Sequence, residues 1–274
     1  TKRYVHIEIR IWLLMIVLHA DKNIFTPLAL NKVSVEVGVF KGRYALELLK
    51  MLPTSLTLID PYDPDAYGSL IPEDDPTNNA QETLDGVYGS YYVGGLKESL
   101  KAAYKNLKQE IAGHENGKLV KFLKLPSAEA CEQFADKSID FLHLDANTRY
   151  DYVLGNLIRW EKKISDSGVI VIDNCYVTAD AKLQHISTLE GLSSFLKLSD
   201  WTPVGLSTAR WSNVVICKKV HENHFMSLIK KICIQNGVNF LEIPPQMLHS
   251  YHHKVEQFED INGQINNYWT ASFS

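Results

Sequence analysis

The sequence has few cysteines, and they form no pattern that would bind a metal or build a disulfide framework. They lie far apart and without CxxC spacing, which excludes a zinc ribbon and favours reduced thiols in a cytosolic compartment. An excess of positive charge is also absent, because the formal net charge is -4. Without a basic field, the chain is not expected to bind nucleic acid. The four thiols are those of Cys131, Cys175, Cys217 and Cys233.

The sequence also lacks a hydrophobic run long enough to cross a membrane. The continuous apolar stretch near the start, residues 11–18 (IWLLMIVL), is far shorter than the roughly 20 residues that a spanning helix needs. The basic residues before it are typical of a signal peptide, but no small-x-small cleavage site follows. We therefore predict a packed helix or strand here, and no membrane partner.

From residue 32 onward, short β-branched runs alternate with helix-like stretches. VSVEVGVF is followed by GRYALELLKML and then by SLTLIDPYD, an order that predicts a parallel sheet covered by helices. The pattern predicts an α/β, Rossmann-like, mostly parallel sheet of seven strands, with helices on both faces and a C-terminal antiparallel hairpin. Further strands are predicted at 119–123, 139–145, 168–173, 201–206 and 213–218, and helices at 128–134, 150–163 and 189–198.

The length of 274 residues suits one large α/β domain with extensions. We expect an N-terminal extension at 1–31, the domain at 32–219 and a C-terminal extension at 220–274, with a helix near 224–235 and a strand at NFLEI. Residues 61–95 are rich in Pro, Asp, Gly and Tyr where a connection should be short. This insertion is either a lid-like substrate cover or a poorly ordered surface segment.

A glycine loop follows the first predicted strand of the domain and reads EVGVFKG. Glu36 and Gly38 end the strand, and Gly42 opens a helix. Such glycines let the backbone approach a ligand closely. The loop lacks the G-x-G-x-x-G spacing of a dinucleotide site, and Glu36 would repel a pyrophosphate but could accept from an ammonium group. A zwitterionic amino-acid ligand therefore fits better, with a plain strand-helix turn as the alternative.

The two following strands end in polar residues that suit the same ligand. Asp60 ends the neighbouring strand, at the place where ribose hydroxyls are bound in this architecture. Ser127 begins a predicted helix after the third strand, where it either caps that helix or contacts an adenine ring.

Carboxylates end the next two strands. Asp145 closes the strand IDFLHLD, and Asp173 and Asn174 close GVIVIDN. Both ends open on one side of a parallel sheet, so three oxygen ligands converge where a hard cation such as magnesium could bind. The alternative is that these residues only cap loops at strand ends.

These motifs together resemble a known family. From about residue 33 to 218 the chain is similar to the metal-dependent class I S-adenosylmethionine O-methyltransferases, including the catechol and caffeoyl-coenzyme A types and, more closely, the macrolide-sugar (macrocin and mycinamicin) type. The resemblance is carried by EVGVFKG, LIDPY, PSAEA and the long segment SIDFLHLDANTRYDYVLGNLIRWEKKISDSGVIVIDN. It implies cofactor contacts from Glu36, Gly38, Gly42, Asp60, Ser127 and Asp145, and magnesium ligands at Asp145, Asp173 and Asn174.

One departure from the family pattern concerns the general base. Thr148 stands where the sugar-modifying relatives usually have a histidine, and threonine cannot accept the substrate proton. His143 or His185 could replace it, metal coordination could lower the pKa of the hydroxyl, or activity could be altered or lost. Milder departures are Tyr44 and Ser167.

The resemblance implies methyl transfer to a hydroxyl group, with Asp145 and Asp173 as the catalytic pair. We expect an acceptor that is a sugar or other polyol first and a catechol second, and a homo-oligomer stays open. Two rivals remain. One is a nicotinamide-dependent oxidoreductase, which lacks its glycine fingerprint here, and the other is a binding protein on a degenerate methyltransferase fold.

Overall fold

A computed structural model describes residues 14–68, 96–175, 183–209 and 212–273. Its strands are β1 (Met15–Leu18), β2 (Val33–Val37), β3 (Ser55–Ile59), β4 (Val120–Leu123), β5 (Ile139–Leu144), β6 (Ile164–Ile172), β7 (Trp201–Ser207), β8 (Asn213–Lys218), β9 (Phe240–Ile243), β10 (Tyr251–Glu259) and β11 (Ile265–Phe273). Its α-helices are α1 (Arg43–Lys50), α2 (Pro64–Gly68), α3 (Leu96–Gly113), α4 (Ser127–Cys131), α5 (Tyr150–Trp160), α6 (Leu183–Leu198) and α7 (Glu222–Gln235).

The main sheet has the order β4-β3-β2-β5-β6-β8-β7-β1-β9. It is mostly parallel, and β8 runs antiparallel to both β6 and β7, which confirms the predicted fold class and the closing hairpin. The predicted number of seven strands is wrong, because the sheet has nine. The apolar segment before the domain supplies β1, parallel to β7, and the C-terminal segment supplies β9, antiparallel to β1.

Each face of the sheet carries its own hydrophobic core, because successive strand residues point to opposite faces. On one face Leu142 and Ile170 pack with Leu157 and Trp160 of α5. On the other face Phe141 packs with residues of α1, α3 and α7. All four cysteines are free and buried within this three-layer arrangement.

The chain crosses from one half of the sheet to the other between β2 and β5. The strands β3 and β4 lie on one side of β2, and β5 returns to pair with its other side. In open α/β sheets, ligands bind at such a switch point, outside the carboxyl ends of the strands. Here these ends are the glycine loop after β2 and Asp145 after β5.

The N-terminal segment packs against the domain. The strand β1 is buried along its whole length, which confirms packing for this part of the apolar run. A 3-10 helix, Lys22–Ala29, follows, with Asp21 as its N-cap and with Phe25, Leu28 and Ala29 buried in the core beside α1. Phe25 is only 1% exposed, so the helix is fixed to the domain.

The insertion predicted as a lid falls largely at residues 69–95, outside the described residues. Its first part includes α2, and Tyr62 packs beside Leu100 and Ala103 of α3. The strands β10 and β11 form a separate antiparallel pair. Among the helices of the described ranges, none combines the length and apolar character needed to cross a membrane.

Candidate active site

The glycine loop after β2 lies directly against the tip of β5. Gly38 has a φ of 87°, and a Cβ placed on it would lie 1.9 Å from the backbone oxygen of Asp145. Only glycine adopts this left-handed conformation and this close approach without strain. Gly42, with a φ of 70°, is the N-cap of α1, so the loop joins strand and helix as the sequence predicts.

Asp60 fixes the conformation of this loop. One of its carboxylate oxygens accepts hydrogen bonds from the backbone N–H groups of Val39 (3.0 Å) and Phe40 (2.9 Å), and the other accepts from Tyr62 N (2.8 Å). The side chain is 2% exposed. The structure therefore places Asp60 beside the glycine loop, and its ribose contact stays a prediction.

The Ser127 hydroxyl does not cap α4, the helix in which Ser127 is the first residue. The N-cap of α4 is Pro126, without a side-chain cap bond, so the alternative of helix capping is wrong. Instead the Ser127 hydroxyl donates to Asn156 Oδ1 (2.8 Å) and accepts from Trp160 Nε1 (2.9 Å). Two residues of α5 therefore hydrogen-bond this hydroxyl. The contact between Ser127 and an adenine ring stays a prediction.

We expect Ser127→Ala to lower the free energy of unfolding by about 1–2 kcal/mol, because the N–H of the buried Trp160 side chain loses its acceptor. Urea denaturation measures this change. Ser138→Ala is the matched control, since that hydroxyl bonds to the exposed backbone oxygen of Ala135 and its loss should change little. Equal effects of the two substitutions would contradict the assigned role.

The predicted metal residues do come together, and a lysine lies between them. The Lys22 ammonium donates to Asp145 Oδ2 at 2.9 Å and also to Asp173 Oδ2. Asn174 Nδ2 donates to Asp145 Oδ1 (2.9 Å), and Asn174 N donates to Asp173 Oδ1 (2.8 Å). All four carboxylate oxygens therefore accept a hydrogen bond. Sequence reasoning missed Lys22, because its only local signal is a polar stretch that follows an apolar run.

The charges of this cluster are strongly coupled. Burial by itself would lower the pKa of Lys22, but the charges of Asp145 and Asp173 outweigh it and raise that pKa, so Lys22 is an ammonium. Burial, and then the charge of Asp145, raises the pKa of Asp173. Burial by itself would raise the pKa of Asp145, but the lowering effects, of which the charge of Lys22 is the largest, outweigh it and lower that pKa to about 2.

A second group of polar side chains lies under the glycine loop. Glu36 and His143 are cross-strand neighbours on β2 and β5, and Tyr44 of α1 stacks on the His143 ring at a centroid distance of 3.9 Å. Burial lowers the pKa of His143 to about 3, so its ring is neutral, and burial raises the pKa of Glu36. Within the described ranges, Glu36 Oε2, Tyr44 Oη and both His143 ring nitrogens have no hydrogen-bond partner.

Because it is neutral and enclosed between Glu36 and Tyr44, His143 is poorly placed to take a proton from a substrate in the cleft. The side chain of His185 falls outside the described part of the structure.

A small cleft, lined by both polar and apolar side chains, opens beside Asp145. Thr148 lines this cleft, so the position where the sugar-modifying relatives usually have a histidine faces it. The complete lining consists of Leu144, Asp145, Ala146, Asn147, Thr148, Val153, Asn156, Ile172, Asp173 and Thr188.

As arranged, this donor set does not fit a magnesium ion. Atoms of His143, Asp145 and Asp173 lie within 4.8 Å of one another, which is close enough for a metal. Magnesium, however, demands oxygen ligands at about 2.0–2.1 Å, and the Lys22 ammonium stands between the two carboxylates. Asn174 turns its N–H group, not its oxygen, toward Asp145. The magnesium site stays a prediction that this geometry does not favour.

The fold and the loop at its switch point define a Rossmann-like ligand-binding domain. A family model described as a methyltransferase domain matches residues 35–175, which is more than half of the chain. The chain therefore belongs to the methyltransferase-domain family, and its cofactor class is S-adenosylmethionine. No curated protein sequence matches it.

Solved structures share the fold at low sequence identity. A structural-genomics protein from Corynebacterium glutamicum is 14% identical, with 73% of this chain and 83% of that chain covered and a TM-score of 0.48. The SAH-bound Podospora anserina methyltransferase PaMTH1 is 14% identical, with 72% and 76% covered and a TM-score of 0.47. Spermidine synthase from Thermotoga maritima is 16% identical, with 72% and 57% covered and a TM-score of 0.43. These low TM-scores carry no argument about function.

Proposed function

We propose that the protein transfers the methyl group of S-adenosylmethionine to a hydroxyl group of a small molecule, with a sugar or other polyol as the first choice of acceptor. One observation carries this proposal. Asp145 both contacts the glycine loop through its backbone and lines the cleft. A cofactor held at the loop would therefore lie next to an acceptor held in the cleft.

The cofactor side of the site is supported by a buried carboxyl group and a fixed loop. Glu36 Oε2 is buried without a hydrogen-bond partner in the described residues, so it can accept a hydrogen bond from the ammonium group of a zwitterionic ligand. Gly38 lets the loop backbone pack directly against the tip of β5, and Gly42 lets it pack against Leu107 of α3. Asp60 holds that loop in place through three backbone N–H groups.

The acceptor side is supported by the chemistry of the cleft. Asn147, Thr148, Asn156 and Thr188 offer amide and hydroxyl groups, which can hydrogen-bond the several hydroxyls of a polyol. The described lining contains no aromatic side chain on which a catechol ring could stack. The cleft therefore favours a sugar or polyol over a catechol.

The reaction places an acceptor oxygen in line with the methyl group. When bound, S-adenosylmethionine supplies a methyl group that its sulfonium already activates. The new carbon–oxygen bond forms as the carbon–sulfur bond breaks, and the electron pair of that bond stays on sulfur. The hydroxyl proton goes to the Asp145–Asp173 carboxylate pair, in which Asp145 is the more exposed side chain (26% against 2%) and burial gives Asp173 the higher pKa. The chain contributes chiefly orientation and electrostatics.

Calorimetry with S-adenosylhomocysteine and with NAD⁺ tests the cofactor class. We expect binding of S-adenosylhomocysteine at micromolar concentration and no binding of NAD⁺, and the reverse result would favour the oxidoreductase alternative. Methyl-labelled S-adenosylmethionine with a panel of sugars, polyols and catechols then tests the reaction. Tight cofactor binding with no transfer across the panel would favour a degenerate binding protein. That alternative is suggested by Thr148, which cannot act as a general base.

A further inference from the structure

The cation of the site comes from outside the segment that matches the family model. That match covers residues 35–175, whereas Lys22 lies on the 3-10 helix that precedes β2. The lysine therefore belongs to the packed N-terminal segment, and its position depends on how that segment is held.

Lys22 is held by an anchored element. The strand β1 before its helix is part of the main sheet, and Phe25 and Leu28 of the helix are buried. The Lys22 side chain is 24% exposed, and its Nζ lies 5.4 Å from the centre of the Tyr44 ring. A cation at this distance over an aromatic face is further stabilised. A mobile surface lysine would have none of these contacts.

Lys22 also binds both carboxylates of the site at once. Asp145 and Asp173 each give one oxygen to Lys22 and the other to Asn174. We propose that the Lys22 ammonium is the resident cation of this site and takes the place of a divalent metal ion. This inference rests on the proposed function, since it names the group that orients the acceptor.

The ammonium can do part of what a metal ion would do. Lysine has three N–H donors, and two of them bind Asp145 and Asp173. The third is bound by neither carboxylate and can donate to an acceptor oxygen placed beside Asp145. The positive charge stabilises the negative charge that develops on that oxygen. Methyl transfer then needs no magnesium.

Manganese binding, followed by electron paramagnetic resonance, tests this proposal on the full chain without a known acceptor. We expect the wild-type protein to bind no Mn²⁺ at millimolar concentration. Lys22→Ala removes the ammonium, and we expect it to bind one Mn²⁺ per chain at that concentration. Adding Asp145→Asn to Lys22→Ala should abolish this gain. Lys50→Ala is the control, because Lys50 forms an exposed pair with Glu47.

Thermal melting keeps the test decisive if Lys22→Ala is unstable. Mn²⁺ should raise the melting temperature of Lys22→Ala and leave that of the wild type unchanged, because a ligand stabilises only the state that binds it. Lys22→Arg keeps a cation and should stay free of Mn²⁺.

One Mn²⁺ per wild-type chain, lost on Asp145→Asn, would overturn the proposal, and so would a folded Lys22→Ala that gains no Mn²⁺. Binding of S-adenosylhomocysteine by the same proteins reports separately on the proposed function.

Discussion

Gly38→Ala is expected to weaken S-adenosylhomocysteine binding more than about 100-fold and to lower the free energy of unfolding by about 3 kcal/mol. The added methyl would lie 1.9 Å from the backbone oxygen of Asp145 and 2.8 Å from Ala146 N. Both neighbours are backbone atoms at the tip of β5, so neither can rotate away. The loop and the tip of β5 must separate, and the cofactor and acceptor halves of the site separate with them.

Gly237→Ala is the control for the backbone conformation. Gly237 has a φ of 64°, but an added Cβ would meet no atom within 4 Å. It should cost about 1 kcal/mol of conformational strain and leave cofactor binding unchanged. Isothermal calorimetry and urea denaturation of both variants separate the collision from the strain. Wild-type affinity in Gly38→Ala would mean that the cofactor does not use this loop.

Asp173→Ala is expected to lower the free energy of unfolding by about 2 kcal/mol, because Lys22 and the backbone N–H of Asn174 each lose a buried hydrogen-bond acceptor. Asp173 is almost fully buried, and Lys22 would keep only Asp145. Asp145 would then hold the ammonium alone. Urea denaturation measures the loss.

Asp166→Ala is the matched control for Asp173→Ala. Asp166 also pairs with two lysines, Lys137 and Lys218, but its side chain is 63% exposed. Exposed ion pairs contribute little, so its removal should leave the unfolding curve nearly unchanged. A double-mutant cycle between Lys22→Met and Asp173→Ala should show a coupling of about 1 kcal/mol or more. Additive effects would show that the two side chains do not interact.

Local sequence patterns were sufficient to predict most of the sheet and the meeting of its polar ends. Asp145 and Asp173 each follow a hydrophobic strand, and the carboxyl ends of parallel strands open on the same edge of a sheet. The glycines at 38 and 42 marked the loop for the same reason, since they stand between a strand pattern and a helix pattern.

Tertiary contacts decided what the sequence could not predict. Lys22 reaches Asp145 across 123 positions of the chain, and no local pattern records such a contact. The position of Ser127 suggested a helix cap, but residues of α5 bind its hydroxyl. The strands β1 and β9 were not counted in the sheet, because their partners lie far away along the chain.

Pairing between the two ends of the chain has a consequence for how the site is maintained. In the described sheet, β9 pairs with β1, and β1 leads directly into the helix that carries Lys22. Without β9, the β1 strand would become an open edge, with unpaired backbone groups that invite other strands. Removing β9 would therefore loosen the helix that carries Lys22, so Phe240–Ile243 help to hold its ammonium between Asp145 and Asp173.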